Sequence, residues 1–333
     1  MPSEGTDWPD VRLHVVSGKG GTGKTTVAAA LAIALAAGGQ RVALMEVEGR
    51  QGIAQLFDTA PLPYQERKVA VAPGGGDVIA LAVDPEDALL EYLDMFYNLR
   101  RAGSALRRMG AIDFVTTIAP GLRDVLLTGK AIELVKRAEK KQPNAFDAVV
   151  LDAPPTGRVS RFLNVNSEIA GLAKVGPLRS QADSVMAVIR SPRTAVHLVT
   201  LLEEMPVQET IDGVKDLEES GLPPGGIVVN MIRPPVLSDS ELAAAADGSM
   251  SREGLAEGFA AAGLGPRQAG APVVGALLAE AEDHAARVGL ERAERARIES
   301  LDRPVYTLPL LPDGIDLGGL YELAELLREQ GMA

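Results

Sequence analysis

Short apolar runs alternate with longer stretches of helical spacing along this chain. Arg12–Ser17 (RLHVVS) is a β-branched run that meets a Gly-rich turn. Thr26–Ala37 follows, made mostly of Ala, Leu and Ile, and closes at Gly38–Gly39, the expected stop chemistry of a helix. Arg41–Val47 (RVALMEV) is a second buried run. A strand, a helix and a strand in so short a span form a βαβ unit, which makes the two strands parallel. Further strands are predicted at Val78–Val83, Ala148–Asp152, Ala195–Leu201, Gly226–Asn230 and Val305–Leu308. Helical patterns separate most of them. The expected fold is α/β: a doubly wound, mostly parallel sheet of about seven strands with helices on both faces. Pro61–Gly76, rich in Pro and Gly, reads as a loop.

Three stretches exceed a minimal α/β core. Residues 85–142, 156–193 and 238–300 read as helical insertions in a single domain spanning 1–333. In the first, Leu89, Leu90, Leu93, Phe96 and Tyr97 recur at helical spacing, and Met95, Met109 and Met186 lie in the same kind of segment. Two readings stand: ordinary core packing, or a flexible apolar groove for a hydrophobic client.

Composition narrows the function. With 46% hydrophobic and 23% charged residues, the chain can bury a sizeable core. The formal net charge of −12 repels nucleic-acid backbones and anionic headgroups, yet allows a small basic pocket for one phosphate ligand. The absence of cysteine excludes disulfides, Cys-zinc sites, iron–sulfur clusters and thiol catalysis. His14, His197 and His284 lie far apart and have no metal-ligand spacing. The acidic, polar start does not read as a signal peptide. The longest apolar run, Val27–Ala37, falls well short of the roughly 20 residues of a membrane span. A cytoplasmic protein without membrane insertion is expected.

The strongest chemical signal is Gly18-Lys19-Gly20-Gly21-Thr22-Gly23-Lys24-Thr25-Thr26. It fits G-x-x-x-x-G-K-[ST] and lies between a strand and a helix, the context that such a phosphate loop requires. The glycines let the backbone curl so that successive N–H groups point at one phosphate cluster, and the helix adds its positive end. Lys24 would neutralise the β- and γ-phosphates of ATP, and the Thr25 hydroxyl would ligate Mg²⁺. Lys19 is not needed for a phosphate loop. Either it is a solvated loop lysine, or it reaches the phosphates of a second subunit.

G-K-G-G-T-G-K-T-T resembles the deviant Walker A loop of the MinD/ParA/ArsA superclass of dimeric ATPases. Glu46-Val47-Glu48 then closes the second strand, past the carboxyl end of the sheet, where ligands bind in such folds. One carboxylate would orient or deprotonate an attacking water, and the other would bind an Mg²⁺-bound water. In the superclass this position usually carries Asp, opening a stretch that reads Asp-Pro-Ala-His-Asn in ArsA-like members. Here the stretch is Glu48-Gly49-Arg50-Gln51-Gly52.

Ala148–Asp152, an apolar strand ending in Asp, is the Walker B pattern, and Asp152 would hold a water on Mg²⁺. Asp152-x-x-Pro155-Thr156-Gly157 resembles switch II of the arsenical-pump and tail-anchored-protein targeting ATPases. That family has His next, where this chain has Arg158, either a phosphate contact or a surface residue. In the family a strand-end Asn in the place of Asn230 reads adenine, and a loop like Pro309–Asp313, with Pro312 and Asp313, covers the base. Pro120–Leu134 also resembles the family.

The resemblance implies an Mg²⁺-ATP-dependent switch ATPase, as a homodimer or with a paralogous ATPase subunit. A hydrophobic client or membrane-protein partner is compatible with it. Alternatives are a nucleotide-sensing scaffold with weak ATPase activity and a MinD/ParA-type positioning ATPase. The cysteine routes to arsenite handling and to zinc-mediated dimerisation are closed to this chain.

Overall fold

In the computed structural model the described residues are 5–84, 86–88, 90–91, 120–140, 142–172, 177–265, 270–312 and 314–333. The stripe formed with Leu89, Leu93, Phe96 and Tyr97, and Met95 and Met109, lies outside them. Eight strands form one sheet: β1 (Leu13–Gly18), β2 (Arg41–Glu46), β3 (Arg67–Val71), β4 (Asp77–Ala82), β5 (Ala148–Asp152), β6 (Thr194–Thr200), β7 (Pro224–Ile232) and β8 (Val305–Pro309). Their order is β3-β4-β2-β5-β1-β6-β7-β8. Every neighbouring pair is parallel except β3–β4.

The expected strands are all present, and β3 is an eighth, inside the stretch read as a loop. It is short and half-exposed at the sheet edge, so it lacks the continuous apolar run that marked the others. Flanking Pro61, Pro63 and Pro73 further masked it.

The helices are α1 (Lys24–Ala36), α2 (Gly52–Leu56), α3 (Pro120–Glu139), α4 (Thr156–Leu172), α5 (Pro177–Ile189), α6 (Glu204–Glu219), α7 (Asp239–Ala246), α8 (Arg252–Ala261), α9 (Ala271–Glu299) and α10 (Leu317–Glu329). Helix α1 is apolar nearly all round, and Val27–Ala34 is buried throughout. Such a helix must be covered on every side. The sheet covers it with Val16, Val42, Leu44, Val150 and Val228, and α10 covers it with Leu320, Leu323 and Leu327. The apolar stripe of the last helix is therefore spent on the core. On the opposite face of the sheet, α3 packs on β5 and α4 on β1.

The chain divides into two compact units. One comprises Met1–Leu201, Met205–Ile232 and Asp302–Ala333, and holds the sheet. The other comprises Leu202–Glu204 and Arg233–Leu301. Within the latter, α7 begins with a capping box: Ser238 Oγ accepts the Glu241 N–H, and Glu241 reaches back to the Ser238 N–H. Leu242, Ala245, Ala281, Ala285 and Val288 form its small core. Among the described residues no helix is long and apolar enough to cross a membrane.

A polar network lies buried in the sheet unit. The Gly226 N–H donates to His197 Nδ1 at 3.1 Å, which leaves the proton of a neutral His197 on Nε2. That atom lies 3.1 Å from His14 Nδ1. Trp8 stands edge-on to His197, and its Nε1–H donates to the Tyr306 hydroxyl at 2.9 Å. A Cβ on Gly226 would fall 2.5 Å from the Tyr306 ring, so only glycine admits this packing.

Complete burial lowers the pKa of both histidines, to about 3 for His14, where nearby Arg12 adds to the lowering. Their folded pKa values lie below the unfolded value, so the unfolded chain binds protons first. The histidines' contribution to stability is present above about pH 6.5 and is lost as pH drops below it. The histidines should lower the urea midpoint from pH 7 to pH 5, while Asp152, whose raised carboxyl takes up its proton in the folded state in the same window, should raise it. The fall should therefore show most clearly in Asp152→Asn, and an unchanged midpoint in that variant would refute the neutral pair.

Candidate nucleotide site

The carboxyl ends of β1, β5, β2 and β7 converge on one loop. Ser17 Oγ donates to the Pro154 carbonyl at 2.6 Å and ties the end of β1 to the segment after β5. Gly18 passes so close to β6 that a Cβ would stand 2.2 Å from the Val199 oxygen. Gly20 and Gly21 are exposed at the loop crest. Gly23 takes the left-handed conformation, φ +85°, directly before α1, and a Cβ there would lie 2.4 Å from Asn230 Nδ2. Conformation and space both demand glycine at this point.

The Lys19 carbonyl organises the loop from inside. It accepts from the buried Thr22 Oγ1 at 2.9 Å and from Lys24 Nζ at 3.3 Å. No side chain caps the start of α1, and no acidic residue lies in its first turn of Lys24, Thr25 and Thr26. The positive end of the helix is thus left for an anion.

Thr25 Oγ1 donates to Asp152 Oδ2 at 2.8 Å. Burial pushes the Asp152 carboxyl up to about 6; the Thr25 bond and Lys24 oppose the shift, while Glu46 and Glu48 add to it. Burial lowers the Lys24 ammonium, against the pull of Asp152 and Glu48. A hydroxyl and a carboxylate in contact suit a hard cation that keeps waters and shares its ligands with phosphates. Among the described residues no group of three His, Cys, Asp or Glu is placed to hold a metal ion.

Glu46, which ends β2, and Glu48 beyond it divide their work. Glu46 is buried, and its oxygens accept the Gln51 N–H at 2.5 Å and the Ile53 N–H at 3.2 Å. It fastens the start of α2. Gln51, at φ 57°, in turn holds Leu62 through both its amide atoms. Glu48 is the carboxylate not consumed by backbone, and it faces Arg50 at 3.6 Å and Arg158 at 4.0 Å. Arg158 is largely exposed. Gly52, which stands where ArsA-like members have Asn, packs on Thr25: a Cβ would lie 3.2 Å from Thr25 Cγ2.

Asn230 is buried, and its Nδ2 donates to the Thr22 carbonyl at 2.9 Å. The strand-end amide thus anchors the phosphate loop, a role the sequence pattern did not signal. Beyond β8, Pro312 is exposed in a segment drawn to β7 by the Leu310 N–H, which donates to the Ile232 carbonyl at 2.9 Å. Asp313 lies outside the described residues. Lys19 turns to α6, where its Nζ lies 2.8 Å from Glu209 Oε1.

A glycine loop between β1 and an uncapped helix, with a Thr–Asp pair at the end of the neighbouring strand, defines a phosphate-loop nucleotide-binding protein. The family model of the anion-transporting ATPases matches residues 11–190. The chain belongs to that family, and its activity is ATP hydrolysis. It is 52% identical over 329 residues to the ATPase BagA of Mycobacterium tuberculosis, covering 98% of this chain and 96% of that one. It is 28% identical over 324 residues to the arsenical pump-driving ATPase of Acidiphilium multivorum, covering 92% of this chain and 53% of that protein. The ATPase GET3 of Kluyveromyces lactis is 26% identical over 255 residues, 66% of this chain and 72% of its own.

Proposed function

We propose that the chain is an Mg²⁺-dependent ATPase that hydrolyses ATP across a dimer, cycling between open and closed forms to act on a client or partner. It works in the cytoplasm as one nucleotide-binding domain with helical insertions. The observation that carries this reading is the Thr25–Asp152 contact at the foot of a glycine loop whose lysine, Lys24, is in place. Gly18 to Thr26 would wrap the phosphates, with Lys24 against the β- and γ-oxygens. Mg²⁺, held through Thr25 and Asp152, would offset charge on the phosphates. Glu48 would orient the attacking water, while Glu46 keeps the chain after β2 in register. Lys19 would reach the phosphates of the second subunit, a copy of this chain or a paralogue. Steady-state Mg²⁺-ATP hydrolysis tests the reading: activity per chain should rise with protein concentration, and a flat profile overturns the dimer.

Asn230 would meet the adenine amino group with its side-chain oxygen while its nitrogen holds Thr22. Asn230→Ala should then do two separable things. Affinity for ATP and GTP should both fall, because the loop loses its anchor. The preference for ATP should also shrink, by roughly 5- to 100-fold, the usual cost of an unpaired buried polar group. Competition binding reads both effects. An unchanged ratio removes Asn230 from base recognition, and unchanged affinities remove it as an anchor.

A further inference from the structure

We propose that Glu209 is a positioning residue for the ATPase reaction: it holds Lys19 within its own subunit until a partner's phosphates replace it. The proposal rests on the reading that Lys19 acts in trans.

Glu209 lies in the middle of α6, far from the phosphate loop in sequence. One carboxylate oxygen lies 2.8 Å from Lys19 Nζ. The other accepts from Thr156 Oγ1 at 3.5 Å, a long contact. Thr156 is the first residue of α4, four positions after Asp152. A single carboxylate therefore touches both the signature lysine and the segment that follows the Walker B strand. Thr156 is itself fixed, being 5% exposed and packed where a Cβ on Gly213 of α6 would lie 3.3 Å from its methyl group. The grip on Thr156 comes from packing, and Glu209 extends it to Lys19.

The pair has the strength that a releasable hold requires. Lys19 is 30% and Glu209 37% exposed, so water reaches both and the bond is modest. Exposed pairs are typically worth a factor of about two to five in equilibrium terms. A polyphosphate carries more charge than one carboxylate, so it can draw the ammonium away when a second subunit presents it. Without that rival the lysine stays with Glu209. The carboxylate thus discourages assembly of the closed form in the absence of ATP, and Thr156 gives the exchange a route to the segment after β5.

The experiment compares ATPase activity per chain against protein concentration for the full-length wild type, Glu209→Gln, Glu209→Ala and Lys19→Ala. The two Glu209 variants should reach half-maximal activity at a roughly two- to fivefold lower protein concentration, with the plateau unchanged. Merely structural loss would lower the plateau and the melting temperature and would not shift the midpoint downward. Added salt should narrow the gap between the wild type and Glu209→Gln, because it screens the pair. A midpoint that is unchanged or raised in both Glu209 variants overturns the proposal. The Lys19→Ala arm separates the two ideas. If that variant is inactive while the Glu209 variants match the wild type, only the hold is wrong. If it turns over normally, the trans lysine itself is wrong.

Discussion

Lys24→Ala should weaken ATP binding by roughly 10- to 100-fold, the scale of a lost charge-assisted contact. Turnover should drop by about 10²–10³ or more, because the lost contact strengthens as charge develops on the transferred group. The surroundings add to the loss. Lys24 offsets Asp152 and Glu48, and it is one of the groups that hold the Asp152 carboxyl down to about 6 against the upward push of burial. Without the ammonium both carboxylates face the polyphosphate with less compensation, and Asp152 is less fully ionised at neutral pH. The fold should survive, because the lysine's only hydrogen bond among the described residues is to the Lys19 carbonyl. Calorimetry with ATP and a turnover assay check the two effects, with thermal melting as the control. Wild-type affinity in this variant would remove the loop from nucleotide binding.

The parallel core was legible because buried strands leave continuous apolar runs, and α1 because its residues are apolar on every side. The edge strand β3 was not, since half-exposure leaves RKVAV without such a run. The phosphate loop was legible because its glycines are fixed by backbone geometry that no other residue satisfies. What stayed hidden was side-chain partnership across distant elements. Nothing local marks Glu209 as the partner of Lys19, or Thr22 as the partner of Asn230. Glu46 and Glu48 looked interchangeable, because alternation places them alike. Only the left-handed turn at Gln51 brings backbone N–H groups onto Glu46 and leaves Glu48 facing the two arginines. His14 and His197 had no ligand spacing, and what brings them together is their place on neighbouring strands.

Lys19→Ala should leave ATP affinity nearly intact and remove most turnover. The part of Lys19 that shapes its own loop is the carbonyl, which holds Thr22 and Lys24 and is kept in alanine. Its ammonium makes no bond within the loop, and its partner is Glu209 on α6. Deleting the side chain therefore costs the subunit's own nucleotide little. In trans the cost is large, because a cation supplied from a second subunit to a transferring phosphoryl group is worth about 10³–10⁵ in rate. Complementation distinguishes this from a fault within the subunit. Lys19→Ala still binds ATP, and Lys24→Ala still carries the lysine that its partner needs. Mixing the two weak proteins should restore part of the turnover if the lysine crosses the interface. If a paralogue is the true partner, its addition should restore turnover to the isolated wild-type chain but not to the Lys24→Ala site. Full activity of Lys19→Ala at every protein concentration would leave a phosphate-loop ATPase that works as a single subunit.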